Sequence, residues 1–244
     1  MLTTGSAVSA DAPDLAYAKS VSWHLDGMPE LAAMEPTIHA VLDRDHVTYS
    51  GVDGQPIEGF FPGPTYAYEK SATRSPFNLF GRDTATDLPM TRYYFGTGAL
   101  RSTVEEFLRE QYPDGSVSAT IGPDYQVDKA TVVSDEETSV IVAATEAFDA
   151  MPDPAWLKQP LRGQALIDRL NNAMNWVLTA RRDPDTALIK RAHTTDWGDI
   201  KWEANSDPTH MNPGDQWTLS IYDQAIAFAA LLVWFFTRRT RTVT

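Results

Sequence analysis

Apolar positions recur at a helical period through much of the chain. Leu166/Ile167, Leu170, Ala173/Met174 and Val177/Leu178 form one such stripe, which predicts a helix over 164–182. Val140, Ala144, Ala147, Phe148 and Met151 predict a second over 135–151, and Leu100, Val104, Phe107 and Leu108 a third over 100–111. The unbroken apolar run 225–236 falls in a helix predicted over 219–236. Asp87 reads as the cap of a helix with Pro89 in its first turn, running to about Phe95. A shorter helix over 30–43 is interrupted early by Pro36, a residue best placed near a first turn. Strand signals are few. His46 to Ser50 alternates, and 52–55 reads as its turn. The Gly and Pro density of 56–76 predicts an irregular loop, and 116–121 a short strand or extended loop.

The links between helices carry their own pattern. Those at 96–99 and 152–163 are short, whereas 111–134 and 183–217 are long. Helix connections in bundles usually run about 2–8 residues, and loops beyond about 12–15 residues tend to be functional. Alternating short and long links is the rhythm of stacked helical hairpins whose long loops gather on one face. The expected class is therefore all-α, with a short irregular or β N-terminal segment. The expected division is a lead-in over 1–75, a helical-hairpin region over 76–236 and a disordered basic tail over 237–244. No internal repeat is present.

Composition narrows the partners. The formal net charge is −13 and there is no cysteine. A field of that sign repels nucleic-acid phosphates and anionic membranes, while a neutral sugar meets no such barrier. Thiolate metal sites and a cysteine nucleophile are excluded. The first 20 residues lack a basic start and an apolar run, so a cytoplasmic location is the expectation. The run 225–236 is shorter than the roughly 20 residues needed to span a bilayer, and a buried helix is expected there rather than a membrane contact.

Candidate chemistry concentrates in 190–203, Lys-Arg-Ala-His-Thr-Thr-Asp-Trp-Gly-Asp-Ile-Lys-Trp-Glu. Glycoside cleavage needs one carboxylic acid to protonate the leaving oxygen and a second carboxylate to activate water or attack carbon. Indole faces stack on sugar rings and lower the local dielectric, which keeps an acid protonated. Asp199 is the expected proton donor and Asp196 its rival, with Trp197 and Trp202 as stacking groups and His193 as a candidate hydroxyl partner. Asp196 or Asp199 capping a turn, with the tryptophans filling core, is the competing explanation. In the stretch 75–84, Arg82 and Asp83 follow a glycine turn and can present a carboxylate to sugar hydroxyls, or simply start the next helix. Ser134 and Glu137 have capping-box spacing, which leaves Asp135 and Glu136 able to face the loop side. The five histidines show no paired ligand spacing, so neither a metal nor a cofactor is expected.

Pro76-Phe77-Asn78-Leu79-Phe80-Gly81-Arg82-Asp83-Thr84 resembles a motif of amylo-α-1,6-glucosidase (glycogen debranching) type proteins. Tyr112-Pro113-Asp114-Gly115 and then Ser134-Asp135-Glu136-Glu137 follow that family's order. The stretch 182–189 is similar to its lead-in to the acid loop, with Ala187 where the family has glycine. Asp196-Trp197-Gly198-Asp199 is similar to the acid-bearing loop of trehalases and of glycoside hydrolase family 63. The resemblance spans roughly 75–232. It implies an (α/α) toroid of six helical hairpins and inverting hydrolysis of an α-linked gluco-oligosaccharide or related glycoside. Arg82, Asp83 and Asp135 would bind the terminal sugar, Trp197 would stack, and Asp199 would be the general acid. About half of the helices of such a ring can be counted, and no residue matches the family's base glutamate. The expectation is therefore an incomplete ring, inactive or weakly active alone, with self-association through exposed helix faces. Toroid epimerases and phosphorylases, and a non-catalytic sugar-binding module, are the alternatives.

Overall fold

The computed structural model describes residues 27–60, 79–92, 94, 97–122, 125–128, 135–192 and 217–240. Its regular structure is mostly helical. In chain order it runs α1 (Pro29–Ala32), α2 (Glu35–Asp45), β1 (His46–Ser50), β2 (Pro56–Phe60), β3 (Leu79–Phe80), α3 (Gly81–Thr91), α4 (Thr97–Arg109), β4 (Thr120–Gly122) and β5 (Tyr125–Asp128). There follow α5 (Glu136–Ala150), α6 (Pro154–Lys158), β6 (Pro160–Leu161), β7 (Gln164–Ala165), α7 (Leu166–Trp176), a π turn (Val177–Arg181), β8 (Arg191–Ala192), β9 (Trp217–Thr218) and α8 (Ile221–Thr240).

Helix α5 packs against α3, α4, α7 and α8. Val140, Ile141, Ala143, Ala144 and Ala147 are all buried, so its apolar surface wraps nearly the whole helix. Two rungs fix the direction of α3 along it. Arg82 meets Asp135 at one end and Arg92 meets Glu146 near the other, so α3 and α5 run parallel. Tyr222 meets Asp135, and Trp234 closes a small cavity with Ala144 and Thr145, so α8 runs the same way. The alternate helices run back. Phe107 and Val140 face the same glycine at the start of α3, while Ala99 and Leu100 adjoin Leu88 and Thr91 at its end. Along α7, Ile167 and Leu170 lie beside Ile141 and Ala144, and Arg181 beside Glu137. The long connections 110–134 and 182–220 therefore lead to the N-terminal ends of α5 and α8, the end shared by α3.

The sequence expectations need correction in places. The helix placed from Asp87 begins at Gly81, because β3 pairs with β4 and the Gly81 N–H donates to Ala119 O. Pro89 sits inside it, and burial of Ala85 and Leu88 offsets the lost backbone bond. Residues 56–60 are a strand, not irregular loop. They pair with β1 around a turn in which Gly54 takes φ +71°. That hairpin docks on α4: Val52 N–H donates to Glu106 Oε1 (2.7 Å) and Glu58 N–H to Ser102 Oγ (3.0 Å), burying Ile57 in the common core. The helix expected over 30–43 is two, α1 and α2, parted at Ala33 and Met34 with Pro36 in the first turn of α2. The link 152–163 contains α6, where Asp153 accepts the Ala155 N–H (2.9 Å) ahead of Pro154. Helix α8 continues to Thr240, so 237–240 is helical rather than a disordered tail.

Two features stabilise the helix ends. Arg169 is buried and donates to Leu108 O (3.0 Å) and Leu161 O (2.9 Å), capping a carbonyl at the end of α4. After the π turn, Asp183 Oδ1 accepts from the N–H of Thr186 (2.9 Å) and of Asp185 (3.1 Å), bonds that hold its carboxyl below the ordinary range. This folds 183–188 back so that Ala187 takes φ +62°. An L-residue there costs roughly 1–2 kcal/mol, partly offset by the entropy a glycine would lose. Ala187→Gly is expected to raise stability by about 0.5–1 kcal/mol in urea denaturation; an unchanged or lower midpoint would count against strain at this turn.

Among the described residues no helix is long and apolar enough to cross a membrane. Ile221, Phe228 and Leu232 form an exposed apolar stripe along α8.

Candidate functional site

The N-terminal ends of α3, α5 and α8 bring together residues far apart in sequence. Gly81 must be glycine-sized for this: a Cβ there would lie 2.8 Å from Glu136 Oε2. The next residue, Arg82, reaches across to α5. Its Nε lies 2.7 Å from Asp135 Oδ2, its Nη2 donates to Oδ1 (3.1 Å), and Nη2 lies 3.8 Å from Glu136 Oε1. This is the two-pronged geometry in which a guanidinium best holds a carboxylate. From α8 the Tyr222 hydroxyl hydrogen-bonds Asp135 as well. Asp83, half-buried in the first turn of α3, adds a charge felt by Glu136.

Burial sets the electrostatics. Asp135 is 0% exposed and Glu136 4%. Desolvation pushes the Glu136 carboxyl well above its usual range, the Asp135 charge adds to this, and Arg82 opposes it. Burial also raises the Tyr222 phenol, with Asp135 adding to the effect. Glu137 is pushed up to about 8 by burial, even though Val117 N–H donates to its Oε1 (2.8 Å) and Arg181 lies near. Glu137 therefore serves the backbone of Val117 across the core, while Ser134, its expected capping-box partner, lies outside the described residues. The α5 N-cap is Asp135, with no side-chain cap bond.

Beside this cluster stand the two sides of the connection between the π turn and α8. Strands β8 and β9 pair Arg191 with Thr218 and Ala192 with Trp217. Arg191 is held by Asp223 at 3.0 Å, both of them buried, and its guanidinium lies over the Tyr222 ring at 5.8 Å. Trp217 rests on Arg181 (5.1 Å), which in turn rests on Trp176 (4.5 Å). The π turn supplies this geometry, since its wider turn carries Arg181 inward to become 7% exposed. Gln224 clasps Ile189 through both of its backbone groups, tying α8 to the same connection.

Of the residues expected from sequence, Arg82, Asp135 and Glu136 are in contact and Asp83 adjoins them. Arg82 is paired with Asp135, not with its neighbour Asp83. Asp196, Asp199, His193, Trp197, Trp202 and Glu203 lie outside the described residues, as does Ser134. Tyr222, Arg191, Asp223 and Arg181 were not foreseen. The signal for two of them was available, since Tyr222 and Asp223 are polar positions just ahead of the apolar run 225–236.

The arrangement can orient a carboxylate, present a phenol and keep a carboxyl protonated. Among the described residues no group of three or more His, Asp or Glu could hold a metal ion. Two small cavities among the described residues, one between α3 and α4 at Leu88 and Leu100 and one at Trp234, are lined by none of Arg82, Asp135, Glu136 and Tyr222. No protein-family model matches the chain, and neither a curated protein nor a solved structure matches it.

Proposed function

We propose that this chain is the hairpin part of an inverting glycoside hydrolase domain acting on an α-linked gluco-oligosaccharide or related glycoside, in the cytoplasm. The observation that carries this reading is the convergence of Arg82, Asp135, Glu136 and Tyr222 at one end of three parallel helices. The ends of the stretch bearing Asp196, Trp197 and Asp199 are anchored beside it by Arg191–Asp223 and Trp217–Arg181. Parallel helices separated by returning ones also suit a ring of hairpins. In this reading Arg82 and Asp83 recognise hydroxyls, Trp197 and Trp202 stack, His193 assists, and Asp199 protonates the leaving oxygen.

With no counterpart of the family's base, turnover by the chain alone should be weak. On aryl α-glucosides and α-linked disaccharides, Asp199→Asn is expected to abolish whatever turnover is seen and to leave saccharide affinity within about threefold, since an isosteric amide keeps the contacts and loses only the proton. Full turnover in that variant would move the acid to Asp196 or Glu203. Failure of every α-glucoside to bind would remove the assignment.

The exposed stripe Ile221, Phe228 and Leu232 favours one alternative, a non-catalytic sugar-binding module that self-associates. Stabilisation by a sugar without product would select it.

A further inference from the structure

We propose that Asp135 is a positioning residue rather than a ligand contact, and that Tyr222, presented by the third helix, is the group that meets the sugar beside Arg82. This rests on the carbohydrate reading above and assigns the roles within that site.

Asp135 has no surface to offer, being 0% exposed. An ionised carboxylate has about four acceptor positions. Arg82 Nη2 donates to Oδ1 (3.1 Å), Arg82 Nε forms an ion pair with Oδ2 at 2.7 Å, and the Tyr222 hydroxyl faces the same carboxylate, so both oxygens are covered. Its backbone is equally committed, because Asp135 O accepts from Ser139 N (2.8 Å) and Thr138 Oγ1 (3.0 Å). A side chain fixed in this way acts through what it holds.

What it holds is the pair of groups nearer the surface. The Arg82 side chain keeps 15% of its area exposed and Tyr222 is half-buried. The Tyr222 ring cannot swing easily, since the Arg191 guanidinium lies over it and Asp223 locks that guanidinium at 3.0 Å. Tyr222 is thus aimed by two carboxylates from different elements, one on its hydroxyl and one through Arg191. Glu136 backs the same pair, its Oε1 lying 3.8 Å from Arg82 Nη2 and its buried Oε2 lying against Gly81.

The test is a double-mutant cycle on the full chain, with maltotriose and trehalose titrated calorimetrically into wild type, Tyr222→Phe, Asp135→Asn and the double variant. Tyr222→Phe should fold with a melting temperature close to that of wild type and bind about tenfold more weakly or worse, as for loss of a charge-linked hydrogen bond. Asp135→Asn should lose a similar factor. The double variant should be no more than about threefold weaker than the weaker single one, because coupled residues are not additive. Multiplying losses, or normal affinity in Tyr222→Phe, would overturn the inference while leaving the sugar site standing. If Asp135→Asn fails to fold, the Tyr222→Phe result alone decides. Absence of binding by wild type to either sugar would remove both the inference and the carbohydrate reading on which it rests.

Discussion

Replacing Arg82 by methionine should destabilise the chain by about 3–5 kcal/mol, the usual cost of stranding one partner of a buried ion pair. The pair is buried on both sides: Arg82 has 15% of its side chain exposed and Asp135 none. Methionine fills much of the volume, so the loss reports the uncompensated charge of Asp135 and the weakened hold on Glu136 rather than a cavity. For a chain of this size that corresponds to a fall in melting temperature of roughly 6–20 °C. Adding Asp135→Leu should recover a large share of it, because removing both charges avoids the desolvation cost that removing one exposes. Urea denaturation of the two variants checks this. A loss below about 1 kcal/mol for Arg82→Met would place the pair in the class of solvated surface bridges.

The second large effect is a pH dependence centred on Glu137. Its folded-state pKa of about 8 lies above the value near 4.3 of an unfolded glutamate. Between those values the native chain keeps a proton that the unfolded chain releases. The contribution of Glu137 to stability is therefore full below about pH 4 and falls as pH rises toward 8, by up to about 1.4 kcal/mol per unit, then levels off. Glu137→Gln keeps an oxygen to accept the Val117 N–H and removes the titrating group. Wild type should thus lose stability relative to the variant between about pH 5 and 8. Glu136 is shifted in the same direction, so Glu136→Gln should remove a further part of the slope. Parallel stability curves for wild type and Glu137→Gln across that range would contradict the burial of a protonated carboxyl.

Helical segments were legible in the sequence because apolar positions recur at the helical period or, over 225–236, run unbroken. The helices expected over 100–111, 135–151, 164–182 and 219–236 correspond to α4, α5, α7 with its π turn, and α8. The start of α3 was not legible, since Pro89 is a strong local signal for a first turn while the launch at Gly81 depends on a strand pairing 40 residues away. The hairpin β1–β2 was half visible for a related reason. Gly and Pro around 56–76 mask a strand whose partner and docking face, Ser102 and Glu106 on α4, are set by tertiary contact. At the candidate site, the motif residues Arg82, Asp135 and Glu136 could be named in advance, but their partners could not. Tyr222 and Arg191 carry no motif, and only parallel packing of α3, α5 and α8 brings them to the same end. Glu137 carries a capping-box spacing in the sequence, but nothing local announces that its Oε1 takes the distant Val117 N–H.

A saccharide received at the shared end of these three helices would show in amide chemical shifts recorded while maltotriose is titrated into the labelled chain. The expected result is perturbation confined to the neighbourhoods of Arg82, Asp135, Arg191 and Tyr222, together with the stretch around Trp197 and Asp199. Saturable shifts gathered elsewhere, at the α4 face of the β1–β2 hairpin for instance, would contradict it.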